Sequence, residues 1–296
     1  MSAMEGSSRA GDGRADAAWQ RAVTAGERAA LASMTAERHE RLYRQSGREF
    51  HAKMAERHRA VEERHRTAAR LQETYARRVR AWSAGRADPP RAGGEDDRGP
   101  LFMAGVAEAC GTLSAALTLV GVDLNQLAVA ASDRRSRGAQ DLEYVMTSGP
   151  GRDATRSCHA VHASGADLER RWPGYGSGLA ALGLSSVAAL PLRVPGGCLG
   201  ALTVFDPLPE LVRAGAFDAV ADALTGSVLL GPDADPGLYG GTDLRAVVHQ
   251  ASGVLSQQTG RSVDDALALI QARAYAVGES LDSVARRVIS GELKLA

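Results

Sequence analysis

The spacing of apolar positions falls into three patterns along the chain. From Ala15 to Trp82 there is no proline, and a glutamate precedes a basic residue by four positions at Glu37/Arg41, Glu40/Arg44, Glu49/Lys53, Glu62/Arg66 and Glu73/Arg77. Each such pair adds about 0.2 to 0.5 kcal/mol to a helix. Apolar or small residues recur every seven positions at Met54, Val61, Ala68, Tyr75 and Trp82, which is half of a heptad seam. The companion positions are Phe50, Arg57, Arg64, Leu71 and Arg78, so arginines interrupt the other half. The pattern predicts a long charged helix over 15–84, a weak coiled coil, preceded by a disordered 1–14.

A second pattern begins at Leu101. Leu101 to Val120 carries apolar residues at helical spacing, and short strand-like runs follow at Gln126 to Ser132 and Glu143 to Met146. Two β-rich runs flank Pro195-Gly196-Gly197, and Val187, Ala189, Leu199, Ala201, Thr203 and Phe205 alternate with their neighbours, which predicts a hairpin over Ser185 to Asp206. An amphipathic helix over Pro209 to Leu230 follows, with Leu211, Val212, Phe217, Val220, Leu224 and Val228 on one broad face.

The third pattern is three short amphipathic helices after Gly241. The first runs from Asp243 to Thr259 and stops at Gly260. The second starts after Ser262, with Asp265 as its capping-box partner, and stops at Gly278. The third starts near Ser280 and stops at Gly291. A glycine after each periodic run is the expected left-handed cap. Two segments dense in Pro, Gly and Asp, 85–100 and 231–241, separate the three patterns as linkers. The fold class is therefore α+β: a long N-terminal helix, an antiparallel sheet with flanking helices over 101–230, and a three-helix bundle over 242–296.

Composition narrows the setting. No stretch approaches the roughly 18 to 20 apolar residues of a membrane span, and the first thirty residues lack the basic stem and apolar run of a secretion signal. The expectation is a cytoplasmic protein without a membrane partner. Cys110, Cys158 and Cys198 neither form a disulfide framework nor show paired zinc spacing. The total charge is zero, yet residues 15–82 hold 15 basic against 9 acidic side chains, whereas 241–296 hold 6 of each.

Candidate chemistry is sparse. Cys158-His159-Ala160-Val161-His162 is the one local cluster of nucleophile and base types, but an extended strand points Cys158 and His159 to opposite faces. They read as ordinary strand residues. His51, His58 and His65 fall at intervals of seven on one helix flank, roughly 10 Å apart, too far for one metal ion. No catalytic residue, metal site or cofactor is expected.

Residues 101–230 resemble a GAF domain. The resemblance rests on Ser148-Gly149-Pro150-Gly151-Arg152-Asp153-Ala154, on Arg171-Trp172-Pro173, and on Ser186-Val187-Ala188-Ala189-Leu190-Pro191-Leu192 leading to Leu199-Gly200-Ala201-Leu202. It implies a sensor domain with an unidentified small-molecule ligand. The C-terminal segment resembles an ANTAR domain through Ala251-Ser252-Gly253-Val254-Leu255, Gly260, Ser262, Ala266, Leu269, Ala274, Leu281, Val284, Ala285 and Val288. That resemblance implies a homodimeric regulator binding hairpin RNA in leader transcripts, so that an antiterminator forms in place of a terminator under control of the sensor domain.

The expected RNA-binding residues are Ala251 and Gly253, whose small side chains permit close approach, together with Arg245, Arg261, Arg273, Arg286 and Arg287. A plainer reading puts Ala251 in the core and makes Gly253 a site where helices cross closely. The zero net charge of 241–296 keeps open an alternative function, a sensory or scaffold protein whose bundle makes protein contacts.

Overall fold

The computed structural model describes residues 2–85, 101–121, 124–213, 216–230, 246–277, 279 and 281–295. The N-terminal segment is two helices rather than one. Helix α1 (Ser2–Ser46) and helix α2 (Glu49–Ser83) fold back on each other at Gly47, whose φ of 65° suits glycine. Helix α1 begins at Ser2, inside the segment 1–14 where the sequence predicts disorder.

The seam between them is built of alanine. Ala15, Ala18, Ala22, Ala25, Ala29, Ala32 and Ala36 are all buried, at alternating spacings of three and four. Alanine gives up no side-chain entropy in a helix and lets two backbones approach closely. On α2 the buried set includes Ala55, Glu62, Ala69 and Ala76, one residue on from the heptad that begins at Met54. Arg59 crosses the seam to Glu40 at 3.0 Å and also pairs with Glu62 at 2.8 Å. Helices α1 and α2 thus fill this seam within one chain.

Helix α2 also belongs to the next layer. Ala68, Leu71, Tyr75 and Val79 pack with Phe102, Met103 and Val106 of α3 (Leu101–Ala109) against the sheet. The expected helix over Leu101 to Val120 ends at Ala109, and after Gly111 (φ 64°) the chain enters strand β1 (Ser114–Val120). Then come β2 (Gln126–Ala131), α4 (Arg134–Met146), α5 (Pro150–Ser157), β3 (Val161–Ser164), α6 (Ala166–Arg171), α7 (Tyr175–Ala181), β4 (Ser186–Val194) and β5 (Gly197–Phe205). The hairpin β4–β5 forms as predicted. Glu143 to Met146 lies in α4 instead of a strand, and the expected helix over Pro209 to Leu230 is divided into α8 (Pro209–Arg213), α9 (Ala216–Ala223) and a π-helical segment, Leu224–Leu229.

The sheet is antiparallel in the order β2-β1-β5-β4-β3. Alternate residues of each strand face opposite sides. Leu117, Ala188, Leu190, Leu202 and Val204 meet α2, α3 and α9, whereas Ala116, Val187, Ala189, Ala201 and Phe205 meet the layer that holds Trp172, Tyr175 and Leu179. Asp133 caps α4 by accepting from the Ser136 N–H at 2.8 Å.

The C-terminal bundle consists of α10 (Ala246–Thr259), α11 (Val263–Val277) and α12 (Leu281–Ile289). Positive φ at Gly260 (69°) and Gly291 (77°) places them as left-handed caps, and Ser262 accepts from the Asp265 N–H at 3.1 Å. Val248, Ala251, Leu255, Ala266, Ile270, Leu281, Val284 and Val288 form the core, and Tyr144 of α4 is buried with them. The bundle therefore docks on the sheet domain through α4. The Gln271 amide donates to the Tyr144 carbonyl at 3.4 Å, and Arg137 pairs with Asp282. The linker 231–241 and the start of the first expected helix, Asp243 to Arg245, lie outside the described residues.

Candidate nucleic-acid interface

Helix α10 packs on α11 and α12 and turns its remaining side outward. Val248, Ala251 and Leu255 point into the bundle, whereas His249, Gln250, Gln257 and Gln258 are exposed and Gly253 is half-exposed among them. A Cβ added at Gly253 would meet nothing within 4 Å. Gly253 is thus no close crossing point between helices, and packing does not require it. A glycine inside a helix costs about 1 kcal/mol relative to alanine, and here that cost leaves an open notch in a polar helix face.

The small neighbours of Gly253 behave differently. Ala251 is fully buried, so its side chain packs in the core and presents no surface. Ser252 is also buried, with its hydroxyl donating to the Val248 carbonyl at 2.8 Å. Ser256 donates to the Arg261 carbonyl at 2.7 Å, which fixes the turn that follows α10.

The arginines are dispersed. Arg261, Arg273 and Arg286 are exposed, and Arg245 lies outside the described residues. Arg287 is held by the Glu279 carboxylate at 2.8 and 3.0 Å. That hydrogen bond is the main reason the Glu279 carboxyl titrates below its usual range, and Arg273 adds to the same field. Glu279 therefore offsets part of the charge of Arg287 and, at longer range, of Arg273.

Residues 242–289 match the ANTAR domain family. No curated protein and no solved structure matches the chain. The ANTAR domain is a module of RNA-binding transcription antitermination regulators, and its matched span here covers α10, α11 and α12. In this ANTAR domain the outward side of α10 joins a notch to side chains that can both donate and accept hydrogen bonds. His249, Gln250, Gln257 and Gln258 escaped the sequence reading because it looked for cations; their shared face appears once Val248, Ala251 and Leu255 are placed inside.

The layer between α4 and the sheet holds a second polar group. Glu143 is buried, and its carboxylate accepts from the Arg152 N–H at 2.5 Å at the start of α5. Burial pushes its carboxyl up to about 7, against the lowering effect of the Arg152 and Gly151 backbone hydrogen bonds. Glu143 Oε2, the Tyr175 hydroxyl, Thr203 Oγ1 and Gln140 Nε2 are all buried without a protein hydrogen-bond partner. Thr118 donates to the Gln140 oxygen at 2.5 Å.

The cysteine and histidine candidates fall elsewhere. Cys158 is the C-cap of α5, not a strand residue, with φ 54°; His159 is exposed, and His162 lies on β3. At the tip of the helical hairpin His39 Nδ1 lies 3.0 Å from His51 Nδ1, and the His39 ring stacks on His58 with centroids 5.9 Å apart. Among the described residues no group of three or more His, Cys, Asp or Glu side chains is gathered as a metal's donor set. No described helix is long and apolar enough to cross a membrane.

Proposed function

We propose that this chain binds hairpin RNA through the outward face of α10 and thereby promotes transcription antitermination in leader transcripts. The observation that carries the reading is Gly253, a helical glycine with open space above it, inside a segment that matches the ANTAR domain. RNA loops are read by hydrogen bonds to the edges of their unpaired bases and by stacking. His249, Gln250 and Gln257 supply hydrogen-bonding groups, and the notch at Gly253 lets the RNA approach the helix.

Control by a GAF-type sensor is the second part of the proposal. A five-stranded antiparallel sheet covered by helices on both faces supports the sensor reading. The unpartnered Glu143, Tyr175, Thr203 and Gln140 atoms favour a small polar ligand between α4 and the sheet, since buried polar atoms without partners are costly. Helix α4 faces those atoms with Gln140 and Glu143 and the ANTAR bundle with Arg137 and Tyr144. A shift of α4 would therefore reach the bundle directly.

One observation favours a different role. Arg287 is occupied by Glu279, and basic and acidic residues balance over 241–296, which suits a bundle that contacts protein. Transcription in vitro separates the two. On a template whose leader encodes two stem-loops ahead of an intrinsic terminator, the proposal expects added protein to raise read-through. Unchanged read-through, with the bundle captured by a protein of the transcription machinery, would support the other role.

A further inference from the structure

The end of the N-terminal helical hairpin carries charge that the fold does not use. Helix α2 packs on the sheet domain with Ala68, Leu71, Tyr75 and Val79, so the turn at Gly47 lies about 20 residues from that contact, roughly 30 Å at 1.5 Å per residue. Over 41–57 the sequence holds five basic residues against the acidic Glu49 and Glu56. Arg41, Arg48, Lys53 and Arg57 are exposed, and their side chains make no ion pair or hydrogen bond among the described residues. The Arg44 side chain donates to the Glu40 carbonyl at 3.5 Å and meets no carboxylate. Arg59, by contrast, is taken up by Glu40 and Glu62. Two aromatic rings stand among the unused cations: Phe50 is 63% exposed and Tyr43 38%. We propose that this end of the hairpin binds single-stranded RNA, with the cations on its phosphates and a base stacked on Phe50.

The local geometry supports both parts. Phe50, Lys53 and Arg57 follow one another at intervals of three and four, which puts them on one side of α2. The Phe50 ring makes T-shaped contacts with His39 of α1, centroids 6.2 Å apart, and with His51, centroids 5.4 Å apart. His39 and His51 are themselves joined between their Nδ1 atoms at 3.0 Å. These contacts hold the ring in one direction while most of its surface stays in water. An exposed flat ring beside unpaired cations is complementary to an unpaired nucleotide: bases stack on aromatic side chains whatever their sequence, and guanidinium and ammonium groups neutralise the phosphates. The choice of RNA among polyanions rests on the function proposed above. Helix α10 would read the loop, and the hairpin would hold unpaired RNA beside it.

The test uses the full-length chain and a fluorescent RNA of about twelve uridines, which has no stem or loop, with anisotropy read at several salt concentrations. The parent should bind it. A chain combining Arg41→Gln, Arg44→Gln, Lys53→Gln and Arg57→Gln should bind more weakly, with the salt slope reduced by about two to three. Phe50→Ala should weaken binding about tenfold and leave the slope unchanged, and Phe50→Trp should restore the affinity. All these positions are exposed, and circular dichroism should show each variant folded. Gly253→Glu should bind this loop-free probe as the parent does, so failure of the α10 reading would leave the result standing. No binding by the parent, a glutamine variant with the parent's slope, Phe50→Ala equal to the parent, or loss of binding in Gly253→Glu would overturn the proposal. So would capture by phosphatidylserine vesicles that needs Phe50 while the RNA is ignored, which would make this end of the hairpin a membrane contact.

Discussion

Arg137, on the outer side of α4, is paired with the Asp282 carboxylate in the first turn of α12, and both side chains are largely shielded from water. This pair is the polar edge of an apolar contact, because Tyr144, two turns further along α4, is buried in the core of the ANTAR bundle. A three-helix unit of this size gains much from such a neighbour, since a small bundle buries too little surface to be very stable alone.

Arg137→Ala leaves the Asp282 carboxylate without that partner in a half-dry setting. The expected loss is about 1 kcal/mol, between that of an exposed pair and that of a buried one. Hydrogen exchange is expected to quicken in α11 and α12 while β4 and β5 stay protected. Uniform quickening across the chain would mean that the pair stabilises the sheet domain as well.

Glu143 sets a pH dependence. Its carboxyl titrates at about 7 in the folded chain against 4.5 ordinarily. Between those values the folded chain holds a proton that the unfolded chain has released, so stability falls as pH rises from about 4.5 and the loss is complete above about 7. The shift corresponds to about 3 kcal/mol. Glu143→Gln keeps an oxygen for the Arg152 N–H and does not titrate. The variant should match the parent near pH 5 and exceed it in stability at pH 8, as read by urea unfolding of the Trp172 environment; parallel curves for the two proteins would contradict this.

Gly200 is fixed by its neighbour across the sheet. A Cβ there would lie 1.8 Å from the Thr118 carbonyl oxygen, and its φ of 155° does not open a path around that backbone atom. Gly200→Ala must push β5 away from β1, at about 3 kcal/mol. Thermal unfolding should show a markedly lower midpoint for the sheet domain. Gly253→Ala, by contrast, should raise helix stability by about 0.5 to 1 kcal/mol.

Some of this was legible in the sequence, and the exceptions have physical causes. Pro195-Gly196 between alternating runs announced the β4–β5 hairpin, and the glycine stops of the C-terminal helices placed Gly260 and Gly291. Leu101 to Val120 read as one helix because β1 is covered on both faces, which erases the alternation that marks a half-exposed strand. Glu143 to Met146 resembled a strand because Tyr144 and Val145 make a second apolar side on α4 for the docked bundle. The hairpin of α1 and α2 was hidden by its alanine seam, which a search for large apolar residues passes over. At the candidate interface, sequence could not separate a packed glycine from an open one, and Ala251 and Gly253 prove to face opposite ways.

Glu279 bears on affinity. Removing its charge in Glu279→Gln releases Arg287 and relieves Arg273, so RNA binding should tighten and depend more steeply on salt by about one unit of slope. Fluorescence anisotropy at several salt concentrations gives both quantities. An unchanged slope would place these arginines away from the phosphates.

The most direct measurement is the binding of a tandem stem-loop RNA, against a loop-scrambled control, to the full-length chain and to Gly253→Glu. Open space above Gly253 lets the glutamate fold into α10, which circular dichroism should verify, while its bulk and charge close the notch. RNA recognition by α10 predicts loop-dependent binding by the parent and its loss in the folded variant. Equal binding by the two proteins, or binding by the parent that ignores the loop sequence, would contradict it.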